Sequence, residues 1–379
     1  MPRCARPISG EDSMIARFAT IAAFGFLFFC AAAAANPEWE GLQKSGRWKV
    51  LRSQVENRLK ADPKDGEAHF WRSKVLMAFG DNEQAYRVAK ESTKLLPQSA
   101  DAWAQLSASA GFMAAKAGAL KKMSYATDCR DAGKKALELD PKNQVALEVM
   151  ANFYRQAPGI IGGDAAKADS ARAALDSIDP EAKTRRELRE AYRSGDKGRF
   201  ESALKQAMQR HPKAAWPFVE AAQRAMDKDN PRPKDAQTFA KAAIENDKYS
   251  ARAHAYLAQA LAAEDRWAEF DAALANAEKI MPENLHPHYL AAQWLISSSK
   301  EPKRAEALLR KYNKQEPEAG APSLGHAHRA LAQALEGQGD KAGAVRELKE
   351  AAKMLPKDKD SASRLNSQIT ADLKRLGGA

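Results

Sequence analysis

Residues 157 to 164 read Ala-Pro-Gly-Ile-Ile-Gly-Gly-Asp, a glycine-rich stretch of the kind whose backbone N–H groups can cradle a phosphate. A phosphate loop of that type follows a strand and carries Lys-Ser/Thr after its last glycine, and neither is present. Two histidine pairs, His286/His288 and His326/His328, invite a zinc reading. Residues two apart on a helix point about 200° from one another, so neither pair closes on one ion. Asp227 and Asp229 read as loop acids rather than a general acid/base couple. GxSxG, HExxH, CxxC and GxxxxGK[ST] are all missing, and the remaining carboxylates are scattered over what should be solvated helix faces. The chain therefore reads as a non-enzyme that calls for no metal and no cofactor.

The first 35 residues have the layout of a secretory signal peptide. Arginines at 3, 6 and 17 precede the apolar run from Phe18 to Ala35, and Ala33-Ala34-Ala35 forms a small-residue cleavage pattern before Asn36. Export to the periplasm follows. The run is also just long enough to span a bilayer, so an uncleaved helix anchored in the inner membrane is the alternative. Phe29 stands where a lipoprotein signal wants a small residue ahead of Cys30, which argues against lipidation. With Cys4 and Cys30 removed, Cys129 is the sole cysteine, and it reads as a buried small apolar residue in a chain with no intrachain disulfide. The formal charge of +11 loses three arginines and two acids with the signal, leaving +10. Such a balance favours acidic proteins or anionic envelope surfaces. The basic residues lack the aromatic-basic clustering of a nucleic-acid binder.

The remaining chain carries an internal ruler. Breaks at Pro63, Pro97, Pro141, Pro180, Pro212, Lys248, Pro282, Pro317 and Pro356 are separated by 34, 44, 39, 32, 36, 34, 35 and 39 residues. A period near 34 predicts a repeated helix pair with insertions. Five residues before the break stands an alanine in Ala136, Ala207, Ala243, Ala277 and Ala351. Seventeen residues before it stands Gly80-Asp81, Gly195-Asp196 or Gly339-Asp340, a left-handed helix end followed by a capping aspartate.

With that register the chain resembles the tetratricopeptide repeat superfamily, here as an exported bacterial member. Residues 325–358 match best, with Leu331, Ala332, Leu335, Gly339, Ala344, Leu348, Ala351 and Pro356 on the family pattern. Trp103, His69, His254, His288 and His328 hold the family's aromatic place early in the first helix. The resemblance implies an all-α, right-handed α-solenoid of about eight antiparallel helix pairs, A and B. The divisions are a signal peptide at 1–35, an N-terminal helix at 36–63, an array at 64–356 and a capping helix at 357–379. Units end near 97, 141, 180, 212, 248, 282, 317 and 356. Leu365, Ile369, Leu373 and Leu376 give the capping helix one apolar stripe.

The resemblance also implies a concave groove lined by the A helices that takes a peptide or protein segment. The step after the small residue of helix A carries an amide in five units: Asn152, Gln223, Gln259, Gln293 and Gln333. An amide donates and accepts at once, which suits an extended main chain. The other reading is an inner face that simply needs uncharged polar residues. Arg155, Trp216, Tyr289 and Arg329 share that face, and His286 and His326 are groove-side candidates. The leading reading is a protein-binding scaffold or adaptor in the bacterial cell envelope, the alternative an envelope-associated assembly factor acting through its basic surface.

Two places depart from the ruler. The unit ending at Pro141 is ten residues over 34, which predicts about three extra turns shared by its helices, with Lys116, Lys121 and Lys122 as a basic projection. The insert Pro158-Gly159-Ile160-Ile161-Gly162 makes the unit ending at Pro180 39 residues, 34 plus 5. The ruler puts the corner at Gly163-Asp164. Ile160 and Ile161 are expected to fold back on the repeat edge or to offer an apolar contact to a partner.

Overall fold

In the computed structural model, residues 36–227, 229–356 and 358–378 are described. The signal-type segment 1–35, with Cys4 and Cys30, lies outside the described residues. The remainder is an all-helical α-solenoid. Its eight A/B pairs are α3 (Gly66–Ala78) with α4 (Asn82–Leu95), α5 (Ala100–Lys116) with α6 (Ala119–Leu139), α7 (Gln144–Gln156) with α8 (Ala165–Ile178), and α9 (Pro180–Arg193) with α10 (Lys197–Arg210). There follow α11 (Ala215–Ala225) with α12 (Pro233–Asn246), α13 (Ala251–Ala263) with α14 (Trp267–Ile280), α15 (His286–Ser297) with α16 (Pro302–Tyr312), and α17 (Leu324–Glu336) with α18 (Lys341–Lys353). The segment at 36–63 is not one helix but two, α1 (Pro37–Lys44) and α2 (Trp48–Ala61), turned at Gly46 in the left-handed region (φ 69°). α19 (Lys359–Leu376) closes the C-terminal end, with Leu365 and Ile369 buried and Leu373 and Leu376 packed beside them.

The repeat marks have a common physical basis. All five alanines five residues before the breaks have no exposed surface, since each lies where a B helix crosses its neighbours. Ala136 packs with Ala104 and Ala146, and Ala243 with Val219 and Ala253, so each touches its own A helix and the next. A larger side chain there would push the helices apart. Six residues after the break, an aromatic ring nitrogen bonds the break carbonyl: Trp103 Nε1 donates to Pro97 O at 2.9 Å, and Nε2 of His69 and of His254 lies 2.9 Å from Pro63 O and Lys248 O. These bonds satisfy a carbonyl at the turn and fix the angle at which the next helix enters.

Gly80, Gly195 and Gly339 all take left-handed φ, and Asp81, Asp196 and Asp340 cap the following helices. Two other corners are strained, because Asp265 (φ 57°) and Ser299 (φ 52°) take the same region without being glycine. In the inserted unit the corner differs from the ruler's reading. The left-handed residue is Gly162 (φ 103°), and Gly163 is required because a Cβ there would lie 1.7 Å from the Ala157 carbonyl oxygen. Asp164 still caps α8. The insert forms one 3₁₀ turn, Gly159–Ile161, which leaves Ile160 93% exposed while Ile161 is half-buried with its carbonyl accepting from Arg130 Nη1 at 3.3 Å. Ile160 therefore does not fold back. In the unit ending at Lys248, Pro233 opens α12 as its first residue.

The lengthened unit has its extra turns, 17 residues in α5 and 21 in α6. Lys121 and Lys122 are exposed at its tip, but Lys116 does not project freely, because it pairs with Asp358, the N-cap of α19. That contact belongs to a larger one. The start of α2 lies against the loops that precede α13, α15 and α17. Arg47 Nε donates to Glu283 Oε1 at 2.6 Å, and its guanidinium sits 4.7 Å from the Tyr249 ring centroid. Arg52 Nη1 donates to Glu316 Oε1 at 3.0 Å, and Lys49 Nζ to the Glu316 carbonyl at 2.8 Å. The Lys49 backbone N–H donates to Glu318 Oε1 at 3.0 Å. No side chain of its own caps α2 and no acid occupies its first turn, so its dipole and its basic residues repel together. Glu318, 5% exposed, supplies the missing cap from the other end of the chain. Burial pushes the Glu318 carboxyl up and the Lys49 ammonium down, so each ion depends on its partner.

Two predictions follow from these corners and this closure. Gly339→Ala should cost about 1–2 kcal/mol, whereas Ser299→Gly should stabilise by up to about 1 kcal/mol, read as opposite shifts in urea midpoint. Replacing Glu316 and Glu318 by lysine should cost about 1–2 kcal/mol and raise the radius of gyration in small-angle scattering without loss of helicity by circular dichroism. An unchanged radius would mean that the closure does not hold the two ends together.

Candidate functional site

The A helices put one face into the crossings and leave the other toward the inside of the coil. On α9 the inward stripe is Arg185, Leu188, Arg189 and Tyr192, at helical spacing. On α11 it is Trp216, Glu220, Gln223 and Arg224, and on α13 Arg252, Tyr256 and Gln259. Two adjoining cavities of about 800 and 750 Å³ lie on this face and share Arg185, Trp216 and Glu220. The larger extends to the loops before α11 and α13, and Gly41, Lys44 and Ser45 at the end of α1 wall it on one side. The smaller has an apolar floor of Leu188 and Met226 and an aromatic rim of Tyr192 and Phe200, whose rings meet edge to face at 5.7 Å. Tyr192 is 71% exposed.

α9 lies at the centre of this face and is the least embedded of the A helices. Only Thr184, Leu188 and Ala191 of its side chains are buried. It packs on α8 and α10, while the direct A-to-A packing that joins α5 to α7 and α13 to α15 is all but absent between α9 and its A neighbours. The cavity is the space that this missing packing leaves.

Its charges are partly matched. Arg252 Nη1 donates to Glu220 Oε1 at 2.9 Å, and the other guanidinium nitrogen bonds Gln223. Burial opposes the Arg252 charge, but Tyr256 and Glu220 more than offset it, and burial in turn pushes the Tyr256 phenol up. Arg185 pairs with Glu181 and lies 5.2 Å from the Trp216 ring centroid. Arg224 is held by Asp227 and by Glu201 at 3.4 Å. Arg189 and Lys213 line the cavities with no partner among the described residues.

The five amides do not form one continuous ladder. Gln223 and Gln259 line the smaller cavity, but Gln259 is 7% exposed and donates to the Leu290 carbonyl at 3.0 Å, joining α13 to α15. Asn152 accepts from Arg172 Nη2 of α8 at 3.1 Å, and Arg155 pairs with Asp169, so both lie against their own B helix. Gln293 and Gln333 are half-buried, and their side-chain amides make no hydrogen bond among the described residues. Tyr289 packs against Tyr312 at 5.3 Å, and burial holds its phenol at about 12. Arg329 Nε donates to Asp372 Oδ2 at 2.8 Å, a link to α19. Trp216 is the one aromatic of the sequence-derived set that lines both cavities. Arg185, Arg189, Tyr192, Phe200, Arg252 and Tyr256 were not singled out from sequence. Stepping back three and seven residues from Gln259 reaches Tyr256 and Arg252, whereas α9 has no amide to start from.

The histidines serve packing. His326 Nδ1 lies 2.9 Å from Ser323 Oγ at the start of α17, and His328 Nδ1 2.7 Å from Glu347 Oε2. Among the described residues no three His, Cys, Asp or Glu side chains converge. Cys129 is 2% exposed, and burial pushes its thiol up, which makes it the inert apolar residue expected.

No protein-family model matches the chain, and no curated protein matches its sequence. Similar solved structures include the Cut9-Hcn1 hetero-tetramer of the APC/C, 15% identical over 83% of this chain and 54% of that one, with a TM-score of 0.39. Yeast Tom70 is 12% identical over 89% of this chain and 88% of that one, at 0.35. PilW, described as a widely conserved type IV pilus biogenesis factor, is 13% identical over 69% of this chain and 99% of that one, at 0.33. The solenoid assignment rests on the chain's own helix pairs.

Burial holds the imidazoles of His286 and His288 at about 4 and moves that of His254 down. A histidine whose folded value lies below its unfolded one stabilises fully above about 6.5 and loses that contribution as pH falls toward 4. Stability should therefore fall between pH 7 and pH 5, by on the order of 1–2 kcal/mol for each of His286 and His288. Urea titrations of wild type and His288→Phe should show a shallower pH slope in the variant.

Proposed function

We propose that this protein is a non-enzymatic scaffold that holds a segment of a partner protein against the concave face of its repeats. The observation that carries the reading is the pair of adjoining cavities on the A-helix face. They offer an apolar floor, an exposed aromatic ring with three half-buried ones, and a few oriented polar groups, the usual composition of a recognition site. The amide Gln223 lines the smaller cavity, its carbonyl accepting from Arg252 and its N–H₂ left to donate to a main-chain carbonyl. Export across the inner membrane, cleaved or anchored, is the accompanying proposal and rests on the layout of residues 1–35.

An envelope-associated assembly factor acting through its basic surface is the second reading, supported by the net charge and by the exposed Lys121 and Lys122 at the tip of α5 and α6. Immobilised wild type, Trp216→Ala/Tyr256→Ala and Lys121→Glu/Lys122→Glu should be compared for the proteins they retain from an envelope extract. Gln259 is a poor test site, because its loss also breaks the bond to Leu290. The groove reading expects the aromatic variant to lose its partners by roughly tenfold or more with its melting curve intact, and the lysine variant to keep them. The reverse pattern, with retention lost in moderate salt, would favour the basic-surface reading instead.

A further inference from the structure

We propose that the segment taken by the α9–α11–α13 cavity is an acidic peptide with an aromatic or large aliphatic anchor, its carboxylates set toward Arg189, Lys213 and Arg185 and its anchor seated between Tyr192, Phe200, Leu188 and Met226. The inference rests on the groove reading and names the chemistry of its occupant. Basic side chains lining the two cavities outnumber acidic ones by seven to four, histidine left neutral. The four acids are engaged: Glu181 with Arg185, Glu220 with Arg252, Asp227 with Arg224, and Asp247 as a turn acid accepting from the Tyr249 N–H at 3.0 Å. Arg189 and Lys213 have no counter-charge among the described residues, and one lines each of the two cavities that Trp216 shares. An excess of cations in a concave site attracts carboxylates from a distance, and guanidinium groups then bind them in two-point geometry.

The apolar half of the site sets the second requirement. Tyr192 is the most exposed aromatic ring of the cavity wall, next to Phe200 and above the buried Leu188 and Met226. A single inserted ring or leucine side chain would cover that edge and gain the burial which the sparse packing of α9 leaves unused. A single-stranded nucleic acid is disfavoured, because its phosphates recur at every residue and would meet Glu220, Asp227, Glu181 and Asp247 in the walls. A peptide can place neutral residues opposite those acids.

The test uses the full chain and four fluorescent probes read by anisotropy. One is a short peptide with Leu-Phe flanked by Asp and Glu, one has lysine in place of the acids, one has Ser-Ser in place of Leu-Phe, and one is an oligothymidylate. The first should bind at least roughly tenfold tighter than the others, and Arg189→Glu/Lys213→Glu should weaken it by about tenfold. Neither residue has a partner to lose, so the variant's melting curve should match wild type, and Tyr192→Ala checks the anchor separately. Equal binding of the lysine-flanked peptide, or tighter binding of the oligothymidylate, would overturn the acidic assignment. In the first of these cases, loss with Trp216→Ala would leave the groove reading standing. Failure of every peptide, with the aromatic variant still retaining wild-type partners from extract, would remove both.

Discussion

The crossing of each B helix over two A helices governs the rest of the molecule. Each helix here carries one apolar stripe, and none can bury that stripe alone, so stability is shared between neighbouring pairs. Alanine at the crossing lets the backbones approach, as the absence of exposed surface at Ala136, Ala207, Ala243, Ala277 and Ala351 shows. The ring-to-carbonyl bonds of His69, Trp103 and His254 then fix how the chain leaves one pair and enters the next. Small steps repeated from pair to pair give a coil with an inner face.

That inner face is where the packing rule is relaxed. The A helices at both ends of the array pack on one another, and their polar side chains are drawn into the structure, as Gln259 is by Leu290 and Arg329 by Asp372. Around α9 the A-to-A packing lapses, arginines replace aliphatic residues, and an aromatic edge stays open. A segment with few buried contacts is the part of a fold that opens most readily, so the cavity lies in the region with most freedom to adjust to a ligand.

A solenoid built only from neighbour contacts would be an open spring. Here one contact spans the coil: a helix with a basic first turn and no cap of its own takes its cap and its counter-charges from loops more than two hundred residues away. The unfavourable N-terminus of α2 and the crowded acids Glu283, Glu316 and Glu318 are each costly in isolation and offset one another when joined. The same closure sets the end of α1 beside Trp216, so the coil's geometry and the shape of the larger of the two cavities are coupled.

The repeat period, the crossing alanines, the corner glycines and the capping helix were legible in the sequence because each is a local rule repeated at fixed spacing. Helix propensity, left-handed φ and a small side chain act within a few residues of where they are written. The packing histidines followed from the same register, and the burial of Cys129 from its being a lone thiol. What the register could not supply was which inward-facing residues are still free once the coil has formed. Asn152, Arg155, Gln259 and Arg329 share the expected face, yet each is taken by a partner on another helix, whereas Arg189 and Tyr192, with no repeat mark, are left open. Gly163 shows the same limit on a smaller scale, since its spacing named a left-handed corner while close approach to the Ala157 carbonyl is what demands glycine there. The closure by α2 and Glu318 was also beyond reach. It depends on the accumulated rotation of many units, a sum that no single stretch of sequence contains.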